Sequence, residues 1–238
     1  MEEPQATGRA PAHISGTERT RRVVLPRRQG HALRFGVALS LLALSALPIQ
    51  RESVSSLESR IFDWINELPL LYTSVWAVMQ LGNILVVPIT AAIALAFRRV
   101  RLAFDLAVAG TAAWILAKVV KELIVRGRPG SLLEEVVLRD APSGGRGFVS
   151  GHAAVAVALA TVAHPYLGPV ARRVTTTLAL GVCFARVYVG AHLPLDVVGG
   201  AAMGWAIGSL LHLLIGSPTK RPRRVTEPSE VSGAPDRT

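Results

Sequence analysis

The stretch Arg186-Val-Tyr-Val-Gly-Ala-His192-Leu-Pro-Leu-Asp196 places a cation, an imidazole and a carboxylate together in an otherwise apolar half of the chain. Pro194 suits the first turn of a helix, where its missing N–H costs nothing. We therefore predict a helix that begins there, with His192 at its N-terminal edge and Asp196 one turn on, on the same face. Because a helix N-terminus favours anions, this stretch predicts a phosphate site at which a histidine held by an aspartate acts on the phosphate.

Two further stretches carry polar residues in apolar surroundings: Lys121-Glu-Leu-Ile-Val-Arg-Gly-Arg128-Pro129 and Phe148-Val-Ser150-Gly151-His152. With the first stretch, they resemble the three-part signature of the type 2 phosphatidic acid phosphatase (PAP2) superfamily. That signature is Lys, six residues and Arg-Pro; then Pro-Ser-Gly-His; then Ser-Arg, five residues, His, three residues and Asp. Val149 and Ala185 depart from it, because they stand where the family has Pro and Ser. The resemblance covers residues 32–216, and three ordered motifs make it specific.

The resemblance implies a bacterial membrane enzyme that removes phosphate from lipid phosphates without a metal ion or any other cofactor. Carried over residue by residue, it implies three catalytic residues, His192, His152 and Asp196. It also implies a set of phosphate-binding residues, which are Lys121, Arg128, Ser150, Gly151 and Arg186.

The residues themselves suit this chemistry. Metal-free cleavage of a phosphate ester needs positive charge around the phosphate oxygens, a nucleophile in line and a proton for the leaving oxygen. Lys121 and Arg128 are seven residues apart, about two helical turns, so we expect them on nearly the same helix face. Asp196 can hold one ring nitrogen of His192 as N–H, which favours His192 as the nucleophile and His152 as the general acid. The resemblance implies the same roles, although spacing alone does not separate the two histidines.

The histidines and the cations each have a second interpretation. A histidine four residues before an aspartate is also a metal-ligand spacing, so His192, Asp196 and His152 would in principle hold zinc. The three nearby cations argue against a divalent ion at this place. Lysine and arginine at the end of a span also suit simple snorkelling to the membrane interface, and the combination of three motifs favours the site instead.

Four residues near the motifs have roles that the sequence leaves open or only outlines. Ser150 precedes an apolar run and is expected to cap its helix. Lys118 lies one turn before the first motif and fits either support of the site or snorkelling. Arg126 and Arg146 are interpreted either as solvated loop charges or as contacts to the second phosphate of a diphosphate substrate.

The composition is that of a membrane protein. Half of the 238 residues are hydrophobic, and the mean hydropathy is positive. The net charge is +10, but much of it lies in two tails and most of the rest borders apolar runs, which argues against nucleic acid as a partner. Cys183 is the only cysteine, so the chain forms no internal disulfide and no thiolate metal cluster.

The apolar runs predict an all-α, integral membrane bundle of six transmembrane helices. The predicted spans are 32–49, 81–97, 102–125, 150–166, 174–189 and 195–215. They form one domain over 32–216. Residues 1–31 and 217–238 are polar, basic and rich in proline, so we expect them to be disordered cytoplasmic tails.

The segment between the first two spans has a different pattern. Leu57, Ile61 and Trp64 recur at helical spacing among polar residues, which predicts an amphipathic helix over 54–69 at the membrane interface. The loop over 130–147 contains the run Ser143-Gly144-Gly145-Arg146-Gly147, which is typical of a mobile segment.

The basic residues predict the orientation of the six spans. Seventeen lie in the two tails and in the loops that share their side, whereas eight lie on the opposite side. Since the side with more basic residues is cytoplasmic, we expect a multi-pass plasma-membrane protein with both termini inside. All three motifs then fall on the extracytoplasmic face, as a shared site requires.

We therefore expect metal-independent hydrolysis of a lipid phosphate or diphosphate through a phosphohistidine. Polyprenyl diphosphate, phosphatidic acid and phosphatidylglycerol phosphate all fit a site at the membrane surface. The expected partners are this lipid and the bilayer, and the sequence predicts no oligomeric state. Two alternatives stay open: transfer of the phosphoryl or headgroup to an alcohol, and a lipid-binding or transport protein that is not an enzyme.

Overall fold

A computed structural model of the chain describes residues 27–51, 53–70 and 72–218. In these ranges it contains nine α-helices and no β-strand, only an isolated bridge between Gly127 and Arg146. The predicted all-α class is therefore confirmed. The helices are α1 (Arg27–Ala46), α2 (Ser56–Asn66), α3 (Tyr72–Gln80), α4 (Val86–Ala96), α5 (Val100–Leu123), α6 (Pro129–Leu132), α7 (Gly151–Ala163), α8 (Pro169–Tyr188) and α9 (Pro194–Ile215).

Three helical segments are long and apolar enough to cross a membrane: Arg28–Ile49, Val100–Leu123 and Pro194–Ile215. The other three predicted spans coincide with α4, α7 and α8. Helices α4 and α7 have 11 and 13 residues, fewer than the ~20 that a bilayer needs. Helix α8 has 20 residues, but three arginines lower its hydropathy. The chain is thus a helical membrane protein with three helices that suit a full span and shorter apolar helices.

The predicted tails lie largely outside the described residues, which leave out 1–26 and 219–238. Helix α1 begins at Arg27, so the last residues assigned to the first tail, 27–31, are helical. The packing of His31 explains this difference, because its ring is buried and lies 5.1 Å from the ring of His212 in α9. Tertiary contact therefore extends the helix beyond the point where the apolar run begins.

Helix α9 packs against α1, α5 and α7 at the centre of the bundle. Its buried residues are mostly small: Gly199, Gly200, Ala202, Gly204, Ala206 and Gly208. Small residues let helix backbones approach closely, which matters in a membrane because lipid tails are as apolar as the side chains. Helices α7 and α9 run parallel, and the Ser150 N–H donates to the Asp196 carbonyl at 2.9 Å. This contact joins the starts of the two helices that carry the second and third motifs.

Contacts between helix termini show which of them share each end of the bundle. The His31 Nε2 and Ser217 Oγ lie 3.3 Å apart, and Arg101 donates to the Ile215 carbonyl at 2.8 Å. The start of α1, the start of α5 and the end of α9 therefore share one end. The end of α5, the end of α8 and the starts of α7 and α9 share the other. All three motifs thus gather at the end opposite the described chain ends.

Gly204→Ala is expected to destabilise the bundle. A Cβ at Gly204 would lie 2.3 Å from the Ala154 carbonyl oxygen, and such overpacking costs about 1–3 kcal/mol. Gly36 in α1 is the matched control, since a Cβ there meets nothing within 4 Å. Its change to Ala is expected to stabilise the helix by about 0.5–1 kcal/mol. Thermal unfolding midpoints in detergent measure both effects, and a Gly204→Ala midpoint equal to the parent would contradict the packing.

Candidate active site

A cavity of about 590 Å³ opens at the end of the bundle where the motifs gather. Six of the eight predicted site residues line it, and they are Lys121, Arg128, Gly151, His152, Arg186 and His192. The other two, Ser150 and Asp196, are fully buried behind its wall. Four helix ends and the loop after α5 thus bring three cations and two histidines around one space.

The three cations that the motifs supply to the cavity are held by neutral acceptors. Lys121 donates to the carbonyls of Arg146 and Gly147, at 3.0 and 3.1 Å. The other two bonds are weaker: Arg128 reaches the Ala191 carbonyl at 3.4 Å, and Arg186 reaches the Met79 sulfur at 3.1 Å. Across the described ranges, no ion pair joins any of the three to a carboxylate. Their charge is therefore left for an anionic ligand.

The two arginines also have donor capacity to spare. The Nε groups of Arg128 and Arg186 are buried and have no hydrogen-bond partner in the part of the chain that the structure describes. Burial lowers the pKa of Arg128, yet a guanidinium stays charged at neutral pH. Buried unpaired N–H donors are costly, so a phosphate that accepts from them is stabilised.

Lys121 and Arg128 reach the cavity in a different way from the one predicted. Helix α5 ends at Leu123, so the two residues do not share a helix face. The reason is local: Arg128 precedes Pro129 and has extended backbone angles of φ −82° and ψ 164°. A residue before proline disfavours the helical region. The loop after α5 turns back and places the guanidinium beside the lysine.

His192 lies in the wall of the cavity, and its side chain is almost fully buried. Its Nδ1 is 3.6 Å from Asp196 Oδ2, which also accepts the Leu193 N–H at 3.0 Å. Burial and the nearby charges of Arg186, Lys121 and Arg128 hold the pKa of His192 well below its usual value. The imidazole is therefore neutral at pH 7 and keeps a ring lone pair, which is lost only at pH well below 6.5.

A tight turn brings the cation and the imidazole of the third motif to the same wall. The N–H groups of Ala191 and His192 both donate to the Arg186 carbonyl at 3.2 Å. Gly190 supplies the positive φ of +76° that this turn needs. Asn66 of α2 donates to the Tyr188 carbonyl at 2.9 Å and so braces the end of α8.

The predicted helix cap at Ser150 is not formed. Ser150 stands at the N-cap position of α7, but its side chain makes no capping hydrogen bond. The hydroxyl is buried without a partner among the described residues, because the close approach of α9 fixes the Ser150 backbone instead. A Cβ on Gly200 of α9 would lie 2.4 Å from the Ser150 carbonyl oxygen. A role for Ser150 toward phosphate stays a prediction.

The interpretations of Arg126 are both wrong. Its side chain is buried, and it donates to Asp196 Oδ1 at 2.9 Å and to Glu58 Oε2 at 2.6 Å. Burial opposes its charge, but the hydrogen bond to Glu58 and the charges of both carboxylates outweigh burial and raise the pKa of Arg126. Arg146, by contrast, is exposed and pairs with Glu122.

Glu58 is a residue that the sequence interpretation missed. It lies on α2, where Glu58, Phe62 and Asn66 form a buried stripe at spacings of four residues. The polar residues at the two ends of this stripe could have indicated a buried polar contact. The sequence interpretation instead assigned the helix to the membrane interface, because its other face is apolar. In the part of the chain that the structure describes, no three His, Cys, Asp or Glu side chains are grouped as a metal site requires.

The sequence model of the PAP2 superfamily matches residues 102–219, which contain all three motifs and every cation of the cavity. The chain belongs to the PAP2 superfamily. This membership makes the protein an enzyme, a hydrolase of phosphoric esters, as its motifs predicted. No curated protein matches the sequence closely enough to count as a relative.

Two solved structures resemble this PAP2 protein. The crystal structure of Aquifex aeolicus LpxE has a TM-score of 0.61 and 29% sequence identity, and the match covers 66% of this chain and 96% of that one. The crystal structure of the first transmembrane PAP2 type phosphatidylglycerolphosphate phosphatase from Bacillus subtilis has a TM-score of 0.55 and 21% identity, covering 79% and 94%. The second likeness supports the fold alone.

Proposed function

We propose that this PAP2 protein hydrolyses a lipid phosphate or diphosphate, without a metal ion, through a phosphohistidine on His192. One observation carries the proposal: a single cavity is lined by two histidines and by cations that have no carboxylate partner among the described residues. The Bacillus subtilis neighbour is by its name a phosphatase of a lipid phosphate, which agrees with this class of substrate.

The phosphate binds through three kinds of donor. The guanidinium forks of Arg128 and Arg186 and the ammonium of Lys121 surround its oxygens, and Gly151, which lines the same space at the start of α7, adds a backbone N–H. Positive charge placed before the reaction stabilises the charge that develops on these oxygens in the transition state.

The chemistry then proceeds in two displacements. The free ring nitrogen of His192 attacks phosphorus, the bond from phosphorus to the leaving oxygen breaks, and His152 gives its proton to that oxygen. Asp196 stabilises the positive ring, and we expect the 3.6 Å separation to shorten to a hydrogen bond at this stage. In the second displacement water gives a proton to His152, attacks the phosphohistidine and releases inorganic phosphate.

The proposal includes an arrangement of the chain in the membrane. We propose six spans, with α4, α7 and α8 crossing beside the three longer helices, and both termini in the cytoplasm. By sequence, seventeen of the basic residues lie in the two tails and in the loops on their side, and the side with more basic residues is cytoplasmic. The cavity then opens on the extracytoplasmic side of the plasma membrane, where a headgroup enters while its tails stay in lipid.

The charge of the cavity favours a diphosphate. Lys118 lines it as a fourth cation, with its Nζ 3.6 Å above the Trp114 ring. Within the described part of the chain, Asp140 is the only carboxylate that lines the cavity, and it accepts a hydrogen bond from Tyr72 at 2.5 Å. A diphosphate carries more negative charge than a monophosphate and reaches further along the cavity, as a polyprenyl diphosphate does.

We expect Lys118→Met to raise KM for a polyprenyl diphosphate about tenfold, because one ammonium contact to a phosphate is worth roughly 1.4 kcal/mol. KM for the corresponding monophosphate is expected to change less than threefold. Lys118→Arg, which keeps the charge, is the control, and its KM for the diphosphate should stay close to that of the parent. Equal changes for both lipids would show that Lys118 does not contact the second phosphate.

Phosphate release from a panel of lipids in detergent and EDTA tests the function. The panel holds a polyprenyl diphosphate, phosphatidic acid and phosphatidylglycerol phosphate, each with and without an added alcohol acceptor. Release in EDTA supports metal-free hydrolysis, and the preferred lipid names the substrate. A phosphorylated or headgroup-bearing acceptor in place of free phosphate would establish transfer. Binding of these lipids with no product of either kind would leave a lipid-binding protein and overturn the proposal.

A further inference from the structure

A buried chain of charges runs behind the cavity, away from the residues that face the phosphate. Glu58 of α2 binds Arg126, Arg126 binds Asp196, and Asp196 faces His192. All four side chains are nearly or fully buried. This series of charged contacts connects α2, which lies outside the three motifs, to the proposed nucleophile.

Arg126 is held as a fork between two carboxylates. One terminal nitrogen is 2.9 Å from Asp196 Oδ1 and the other is 2.6 Å from Glu58 Oε2. It is not among the residues that line the cavity, so it does not reach a bound phosphate. Any influence of Arg126 on the reaction therefore passes through Asp196.

Arg126 places a positive charge between two buried carboxylates behind the site. Two buried carboxylates close together favour protonation of one of them, since neither the interior nor the other charge stabilises a second negative charge. The guanidinium of Arg126 places one positive charge against both carboxylates. It also occupies Oδ1 of Asp196, which leaves Oδ2 for the Leu193 N–H and for Nδ1 of His192.

Glu58 fixes this arrangement to the scaffold from the other side. Its second oxygen accepts the Leu195 N–H at 3.0 Å, in the first turn of α9. Its own backbone N–H is capped by the Ser55 hydroxyl at 3.2 Å. The start of α2 and the start of α9 are thereby joined through one carboxylate, at the residue directly before the aspartate that orients the histidine.

We propose that Arg126 and Glu58 are positioning residues of the phosphatase site, which hold the Asp196 carboxylate aimed at Nδ1 of His192. The proposal rests on the proposed function, because it assigns these residues to the same reaction. Neither residue touches substrate, so kcat is the quantity that they control and KM is not.

Arg126→Gln is expected to lower kcat about 100-fold, because the aspartate loses its fixed place. KM should stay within threefold for both a lipid monophosphate and a lipid diphosphate. Arg126→Lys keeps the charge without the fork and should lose about tenfold. Glu58→Gln, which keeps the shape and the Leu195 acceptor, should also lose about tenfold in kcat. Two exposed residues of α2 and its end serve as controls: Arg60→Gln and Glu67→Gln should match the parent.

A double-mutant cycle separates positioning from simple loss of structure. If Arg126 acts through Asp196, then Arg126→Gln placed on Asp196→Asn changes kcat less than threefold further. Multiplied losses in the double variant, or a KM effect confined to diphosphates, would overturn the proposal. Kinetics are compared only for variants that elute as the parent does in detergent. If Arg126→Gln does not fold, the proposal is tested with Arg126→Lys and Glu58→Gln. A kcat equal to that of the parent in both variants would overturn the positioning role.

Failure of this inference is distinct from failure of the proposed function. If the parent protein releases no phosphate from any lipid, the function is wrong and the inference falls with it. If the parent is active and both Arg126→Lys and Glu58→Gln keep the parent kcat, the function stands and the positioning role is wrong.

Discussion

His192→Ala is expected to lower kcat for phosphate release by at least about 10⁴-fold, because the reaction loses its nucleophile. The variant keeps the three cations and should still bind lipid phosphate, so KM or Kd changes little. Phosphate release in EDTA, under the conditions that give parent activity, is the measurement. His164→Ala is the matched control: its histidine contacts Thr176 at the opposite end of the bundle and should leave kcat within twofold.

The His192 result has a clear contrary outcome. A His192→Ala protein that retains more than about one hundredth of the parent kcat would mean that water attacks phosphorus directly. His192 would then be one more phosphate ligand, and its contact with Asp196 would serve only to hold the turn between α8 and α9.

His152→Gln is expected to slow the first displacement of an alkyl lipid phosphate by about 10²–10⁴-fold, because the leaving alkoxide receives no proton. The loss should vanish in the first turnover of a nitrophenyl phosphate, whose leaving group departs as a stable anion. Rapid-mixing measurements of that first turnover separate the step from later hydrolysis. Equal losses for both substrates would show that His152 binds phosphate and gives no proton to the leaving group.

Much of the helical framework is visible in local sequence. Pro194 predicted the start of α9, and α9 begins there. The apolar run over 102–125 predicted a span that the structure places at Val100–Leu123. These features depend on residues within one or two turns, such as a proline that suits a first turn or an unbroken apolar run, so a single segment contains the information.

The buried contacts of Arg126 and Glu58 behind the cavity were not predictable from such local patterns. Arg126 looks like a loop charge because its two partners, Glu58 and Asp196, are 68 and 70 residues away along the chain. Glu58 looks like the polar face of an interfacial helix, since Leu57 and Trp64 on the same helix are exposed apolar residues. Only the packing of α2 against α8 and α9 turns its other face inward.

The two departures from the family pattern lie in packed surroundings. Ala185, where the family has Ser, is fully buried beside Met79 and Tyr188. Val149, where the family has Pro, is buried in the main core. Neither position carries a charge or a donor to the cavity, so the ionisable residues of the site are all retained.

Trapping the covalent intermediate shows directly whether His192 is the nucleophile. The His152→Gln protein is mixed with a nitrophenyl phosphate, which loads the nucleophile quickly while hydrolysis stays slow, and is quenched in alkali because histidine phosphate survives there. Mass spectrometry of the peptides then locates the added phosphate. We expect one phosphate on His192, and none there when His192 is also changed to Ala. A nitrophenolate burst with no phosphorylated residue, or with phosphate on another residue, would contradict it.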